Sequence, residues 1–532
     1  MPHDLPDMSA IPLSAATPTT TLLSQKSATH ASPNPLAGKR ATPLPTGPGA
    51  KSVTASAAAE AASTAALLAH TSATATTVTE APKSMHTPTT LYTRLHGKWY
   101  DMREFKARHP GGPFALSMAA GRDGTALWES YHPFTTRAKM DSILKRYEVP
   151  EDVAARLRTI EEETPGMPRV DNLFDWPAGG SEFANDLKRE VRAYFEGEAE
   201  RRGVSFKEAT KGTPGRFAFQ LSIAASLLIS GYFLTFHASK VAMITSPVLA
   251  WTLAVNVFHD ATHFALTLNP AGNFYTSYLF PYFESPSTWA LEHIIGHHAY
   301  PNIAGLDPDV AHTAHARRDH PDLKWADAHE QQGRWFRLLP HFILATTFGL
   351  NIANEVESTI AGNYNGAVPM GPRTMTRHVM HLAGRLATVV GILGWPFAML
   401  SAEQASLPAK FMFALVPTFI FSTLFMLNTQ VNHLTPHNIS ATSRDWYKHQ
   451  IVTAQNFGTN VFHFVMSGGL NHQLEHHLFP GINHVHLPAL QPKIIAVCKK
   501  HNVPYTHASG YIEAVRNYLT HTDNMAEKPK AQ

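Results

Sequence analysis

Cysteine is almost missing from this chain: Cys498 is the one thiol in 532 residues. That excludes an internal disulfide framework, a zinc module with cysteine ligands and an iron–sulfur protein. Charge imbalance is small as well. Lys and Arg number 44 against 41 Asp and Glu, leaving +3, too little for the basic footprint of a nucleic-acid-binding protein. Residues 1–80 have no aromatic side chain; 51 are Ala, Thr, Ser or Pro and eight are charged. Such a stretch cannot bury enough apolar surface to offset the entropy of ordering, so residues 1–88 read as a disordered leader. It is poor in acid, as transit peptides are, but basic residues are sparse and no signal-peptide core opens it.

The mean hydropathy of −0.16 resembles that of a soluble protein, yet the apolar residues are concentrated in runs. Residues 89–165 form a small charged unit, with Leu95-His-Gly-Lys-Trp-Tyr100 predicted as strand and turn leading into a short helix. Residues 166–211 form a linker with a helix-prone segment, where Phe183, Leu187, Val191 and Tyr194 recur at helical spacing. That segment either lies on a membrane surface or joins two domains. Phe217–His237 is uncharged, and about 21 residues at about 1.5 Å each cross a hydrocarbon core of about 30 Å. Val241–Phe258, Leu386–Ala402 and Phe411–Met426 follow, giving two transmembrane hairpins. Runs at 274–283 and 335–353, the second broken by Pro340 and Asn351, read as interfacial or half-buried. The membrane domain extends over 212–520, with a tail at 521–532. Two hairpins return the chain to its starting side. The amino-terminal unit, the segment 259–380 and everything after about 428 therefore share one face. Arg373, Arg377 and Arg385 against Lys240 and Lys410 mark that face as cytoplasmic.

Histidine is what the chain has in excess, at 32 residues. One pair lies in the small unit. His109-Pro-Gly-Gly112 is followed by His132, within Glu129-Ser-Tyr-His-Pro-Phe134. An HPGG string would arise by chance about 0.01 times at this composition. Two neutral imidazoles on opposite faces of a haem give a six-coordinate iron with no position for oxygen, a site for single-electron transfer. These residues resemble cytochrome b5, in which the matching histidines are the axial haem ligands. Asp123-Gly-Thr125 falls where that family has its Gly-x-Asp-x-Thr segment.

A second set lies at the transmembrane boundaries: His259-Asp-Ala-Thr-His263, His293-Ile-Ile-Gly-His297-His298, Asn432-His433 and Gln473-Leu-Glu-His476-His477. A lone H-x-x-x-H would occur about twice by chance, whereas H-x-x-x-H-H is expected only about 0.1 times. Positions i, i+3 and i+4 share a helix face, so each cluster is predicted to offer its imidazoles to a common point. Eight imidazoles exceed what one ion needs, so two ions are the economical reading. Imidazole suits several metals, and an electron-carrying haem on the same chain selects iron, since zinc has no redox chemistry. His312, His315, His320, His463, His472, His484 and His486 have no cluster spacing and read as surface groups or groups behind the ligands. Asp260 and Glu475 either orient imidazoles or are solvated.

The three boxes behind a b5-like domain resemble the front-end membrane fatty acid desaturases, whose third box begins with Gln, as Gln473 does here. The string Gly468-Gly-Leu-Asn-His-Gln-Leu-Glu-His-His-Leu-Phe-Pro480 carries the likeness, which covers about 91–515. It implies a diiron histidine-box fold. This is an all-α membrane domain of four transmembrane helices with interfacial and cytoplasmic helices, behind a small α+β haem domain and the disordered leader. It implies that His259, His263, His293, His297, His298, His433, His476 and His477 bind two non-haem irons, with Gln473 in the site as ligand or behind one. It implies haem b on His109 and His132, oxygen as co-substrate, and NADH-cytochrome b5 reductase as electron source. The substrate would be a polyunsaturated acyl-CoA or acyl-phospholipid. The setting would be the endoplasmic reticulum, with haem domain and boxes on the cytosolic face. The strings from His259 to Pro270 and from His297 to Asp309 look most like delta-5 members acting on C20 chains. Delta-4, delta-6 or delta-8 desaturation and a sphingolipid long-chain-base desaturase remain alternatives, with a membrane-anchored haem electron carrier as the non-enzymatic one.

Overall fold

The computed structural model describes residues 91–163, 170–311, 317–333, 342, 345–370 and 375–529. The leader, His312, His315 and Pro340 lie outside the described residues. A hairpin opens the described chain. Tyr92–Leu95 pairs antiparallel with Lys98–Asp101 across the His96-Gly97 turn, with Tyr92 opposite Asp101. Alternation along Lys98–Asp101 sends Trp99 to one side, against Val149, Val153 and Leu157. Tyr100 goes to the other, against Phe105, Met140, Leu144 and Tyr147. Helices Gly112–Ser117, Thr125–Tyr131 and Arg137–Leu144 complete the unit, and Glu151–Glu163 closes it on the Trp99 side. The second of these helices starts where the Asp123 carboxylate accepts from the Thr125 amide (2.8 Å).

Among the described residues, four helices are long and apolar enough to cross a membrane: Pro214–His237, Lys240–Thr262, Met375–Met399 and Leu407–Gln430. Their number and pairing match the expectation, but the third begins at Met375 rather than Leu386. Arg377 and Arg385 lie in its early turns without stopping it, because Arg377 stays exposed and Arg385 is buried near Glu284 and Glu355. The first and third spans form the outer pair, with Leu221, Leu228, Val379 and Leu386 facing outward, as lipid-facing residues would. The second and fourth are the inner pair. Trp251, Val255 and Phe258 of one join Phe421, Phe425 and Met426 of the other in a core that includes Phe283 and Trp289.

Helix Glu182–Arg202 is capped by Ser181, whose hydroxyl accepts from the Ala184 amide (3.1 Å). Its buried stripe of Phe183, Leu187, Val191 and Phe195 packs in one core with Leu490, Ile494 and Val497 of helix Leu487–Lys500. The apolar face is thus covered by protein. Among the described residues, three stretches are π-helical, at Ala254–Phe258, Ala290–His297 and Ala345–Ala353. The first leads into His259 and the second contains His293 and His297. Such wider turns occur mostly as short bulges, frequently at functional sites.

Candidate metal centre and haem crevice

The π-helical winding changes what the second box can do. The His298 amide bonds the His293 carbonyl (2.9 Å), an i to i+5 step, so His293 and His298 share a face and their Nε2 atoms lie 3.1 Å apart. His297 lies toward His433 and His477, and also falls with His293 and Asp309 in a third grouping. The expectation that each box serves a common point is met only in part here, since the expected face was that of an α-helix. His259, His263, His293 and His476 gather into one group and His297, His433 and His477 into another. The second and third boxes each supply both groups, and His298 stands between, with ring centroids 4.6 Å from His476 and 4.3 Å from His477. All eight implied ligands are buried and brought together. Gln473 joins the second group, its amide nitrogen 2.9 Å from His433 Nε2.

The spacing fits metal ions. Nε2 atoms of His259 and His293 are 3.0 Å apart, as are those of His298 and His476. That is the edge of an octahedron with metal–nitrogen bonds of about 2.1 Å. Nε2 of His263 and of His477 are buried with no hydrogen-bond partner, an arrangement costly unless something binds there. Burial first, and then crowding by neighbouring imidazoles, holds His293, His298, His476 and His477 well below the ordinary range and His433 down to about 3. They are neutral, with lone pairs available. His297 is the exception. Burial alone would lower it, but the Asp307 and Asp309 carboxylates raise it to about 9.

A second layer fixes these rings from behind through Nδ1, and of its members sequence reading offered only His484, as a surface group or a group behind the ligands. His297 Nδ1 donates to Asp307 (3.1 Å), His433 Nδ1 to the Thr453 carbonyl (3.2 Å) and His477 Nδ1 to the Gln450 side-chain oxygen (3.0 Å). His476 Nδ1 lies 3.1 Å from His484 Nε2, and His484 Nδ1 donates in turn to the Gly468 carbonyl (2.7 Å). His263 Nδ1 meets the Tyr131 hydroxyl at 2.7 Å. Metal-bound histidines are commonly oriented in this way. Asp307 can reach His297 because Gly296 admits the following loop: a Cβ on Gly296 would lie 2.2 Å from Pro308. His484 is eight residues from His476, a spacing with no helical meaning, so no periodicity argument could select it. Asp260 is buried rather than solvated; it accepts from Asn483 (3.0 Å) and lies near Arg216, bracing the His484 turn. Glu475 accepts from Asn456 and Tyr505, both at 2.7 Å, and orients none of the clustered rings. His320, His472 and His486 are buried and His463 is half-buried, all outside both groups.

The other histidine pair frames a crevice. His109 and His132 have ring centroids 6.0 Å apart. Their Nδ1 atoms meet backbone carbonyls, Gly112 at 3.2 Å and Trp128 at 3.1 Å, which leaves Nε2 for an iron. Burial lowers His109, and burial with His109 beside it lowers His132 to about 4. Both are neutral, as axial ligands must be. Gly112 has φ +83°, and a Cβ there would come within 3.1 Å of Pro270. The crevice loop therefore lies directly against the membrane domain, where Phe114 also meets Phe274 with ring centroids 5.0 Å apart.

Comparison with known proteins agrees with this geometry. Residues 236–509 match the family described as fatty acid desaturase, and residues 79–151 match the cytochrome b5-like heme/steroid binding domain. The chain is similar to the acyl-lipid (8-3)-desaturase of Mortierella alpina, 27% identical over 83% of this chain and 95% of the relative. It is similar to the Delta(5) fatty acid desaturase A of Dictyostelium discoideum, 26% identical over 84% and 92%. It is also similar to the sn-1 linoleoyl-lipid 6-desaturase of a Synechocystis strain, 31% identical over 61% and 89%.

Proposed function

The chain belongs to the fatty acid desaturase family, with a cytochrome b5-like domain ahead of the desaturase region, and on that premise we propose that it is a front-end desaturase. It inserts a cis double bond at the delta-5 position of a C20 polyunsaturated acyl chain, using oxygen and electrons relayed through its own haem. The observation that carries this reading is the convergence of eight buried imidazoles, seven in two adjacent groups and His298 between them, beside a crevice suited to haem.

Two irons in this donor set would supply, with oxygen and electrons, the oxidising power to break unactivated C–H bonds. The residues of the chain set the conditions. Tyr131, Asp307, Thr453, Gln450 and His484 hold the Nδ1 side of five rings and so fix which nitrogen stays free. Gln473 lies in the second group, as a ligand or as a donor to His433. Phe258, Phe283, Trp289 and Phe425 form an aromatic surface against the first group, where the Trp289 and His293 rings are 4.2 Å apart. That surface excludes water and receives the acyl tail, bent so that its reacting carbons face the metals. The position of the chain relative to the metals selects which carbons react.

The strings around the first two boxes support delta-5, as does the Delta(5) name of a relative. The acyl carrier is coenzyme A or a phospholipid. Electrons come from NADH-cytochrome b5 reductase. The enzyme is integral to the membrane through its four spans, and its boxes and haem face the cytosol from the endoplasmic reticulum. Yeast expressing the full chain and fed C18, C20 and C22 polyunsaturates tests the reading. A new delta-5 bond in C20 products is expected. Desaturation at another position, or of sphingoid bases, would replace the regiochemistry, and no new unsaturation at all would remove the proposal.

A further inference from the structure

Tyr131 precedes the haem-crevice ligand His132 in sequence, yet its side chain ends in the other metal centre. Its hydroxyl meets His263 Nδ1 at 2.7 Å, and the two rings lie 18° from parallel with centroids 6.3 Å apart. His263 Nε2 is buried, has no hydrogen-bond partner and lies in the first histidine group. A ring that binds metal through Nε2 carries its proton on Nδ1, so His263 donates and the Tyr131 oxygen accepts. Burial raises the Tyr131 phenol above its ordinary value, keeping it neutral. Around this contact the two domains are locked together. The Phe134 and Phe479 rings stack at 6.2 Å and 5°, and the Tyr447 hydroxyl donates to the Glu129 carboxylate (3.0 Å).

We propose that Tyr131 is the bridge by which electrons pass from the haem to the histidine-bound metals: one peptide step from His132, one phenol ring and one hydrogen bond to His263. It is a positioning residue, acting through His263. The inference rests on the proposed function and adds the route. Each passage oxidises a ferrous haem to ferric and reduces one ferric non-haem iron to ferrous. Two passages serve one oxygen, and a flavin-containing reductase restores the haem each time. The phenol and the imidazole keep their protons throughout, so no proton transfer is coupled at this contact.

The test follows the haem rather than the product. Full-length protein loaded with haem and iron is reduced, then mixed rapidly with oxygen and a C20 polyunsaturated acyl-CoA, and haem re-oxidation is recorded optically. Protein carrying His297→Ala gives the baseline for direct oxidation of the haem. Tyr131→Phe removes one oxygen atom and is expected to slow re-oxidation about tenfold or more per non-haem iron retained, with the haem reduction potential unchanged. Phe134→Leu disturbs the same interface without touching a histidine and is expected to stay near the unsubstituted rate. An unchanged rate in Tyr131→Phe overturns the proposal. So does a slowing that disappears once the rate is divided by the non-haem iron retained, which would make the phenol only a ring support. Equal slowing in Phe134→Leu also overturns it, because docking would then set the rate. If the unsubstituted protein re-oxidises no faster than His297→Ala, the proposed function fails instead, and that result is read before any Tyr131 variant is made.

Discussion

The haem crevice and the histidine centre solve the same problem, holding neutral imidazoles in fixed orientation, by opposite means. In the crevice both Nδ1 atoms meet backbone carbonyls, of Gly112 and Trp128. In the histidine centre the supports are largely side chains: Asp307, Gln450, His484 and Tyr131. Backbone supports survive substitution of the residue that owns them, whereas side-chain supports do not. The crevice is therefore a self-contained local motif. The larger centre depends on residues scattered from 131 to 484, and its sensitivity to mutation extends correspondingly far.

The sharpest way to break this contrast is to remove ligands. His476→Ala should abolish desaturation and leave the haem absorption band intact. His109→Ala should remove the band and most turnover; unchanged turnover would mean that an external carrier supplies the electrons. Next in size are the supports. Asp307→Asn or Gln450→Ala should weaken non-haem iron retention about 10- to 100-fold, measured by iron content after dialysis against a chelator. Retention equal to that of the unsubstituted chain would make these contacts incidental. A smaller effect concerns pH. His297 stands near 9 in the metal-free protein and must lose a proton to bind a metal, so iron loading should strengthen as pH rises from about 7 toward 9. Asp307→Asn removes the larger of the two carboxylate influences that raise His297, leaving Asp309, and should weaken that dependence. The smallest effect belongs to the crevice. Trp128→Phe keeps the carbonyl that His132 needs and an aromatic ring against it, although Trp128 stacks on His132 at 5.4 Å. Haem retention should barely change.

The contrast also explains what could be read beforehand. His109-Pro-Gly-Gly112 and His132 are legible because their support is local backbone and the string is improbable. The boxes are legible because their histidines cluster in sequence, and the spans because lipid demands uninterrupted apolar length. Sorting His297 from His298 was not legible, since it depends on a change of helical winding that Ile294, Ile295 and Gly296 do not announce. Met375 as the start of the third span was hidden by Arg377 and Arg385, which look like flanking charges until the second is seen buried. Tyr131 and Gln450 were invisible, and His484 was read only as a surface group or a group behind the ligands, because each is joined to its histidine only by the tertiary fold.

The π-helical turn at Ala290–His297 makes the number of residues there matter more than their identity. Ile294 and Ile295 could exchange with similar apolar side chains at little cost. Deleting any one position between His293 and His297 would rotate everything downstream by one residue's share of the turn. His297 and His298 would then lose their separate destinations, and one of the two groups would fall short of donors. Length conservation across this short window, rather than residue conservation, is the trace that natural selection for this chemistry should leave.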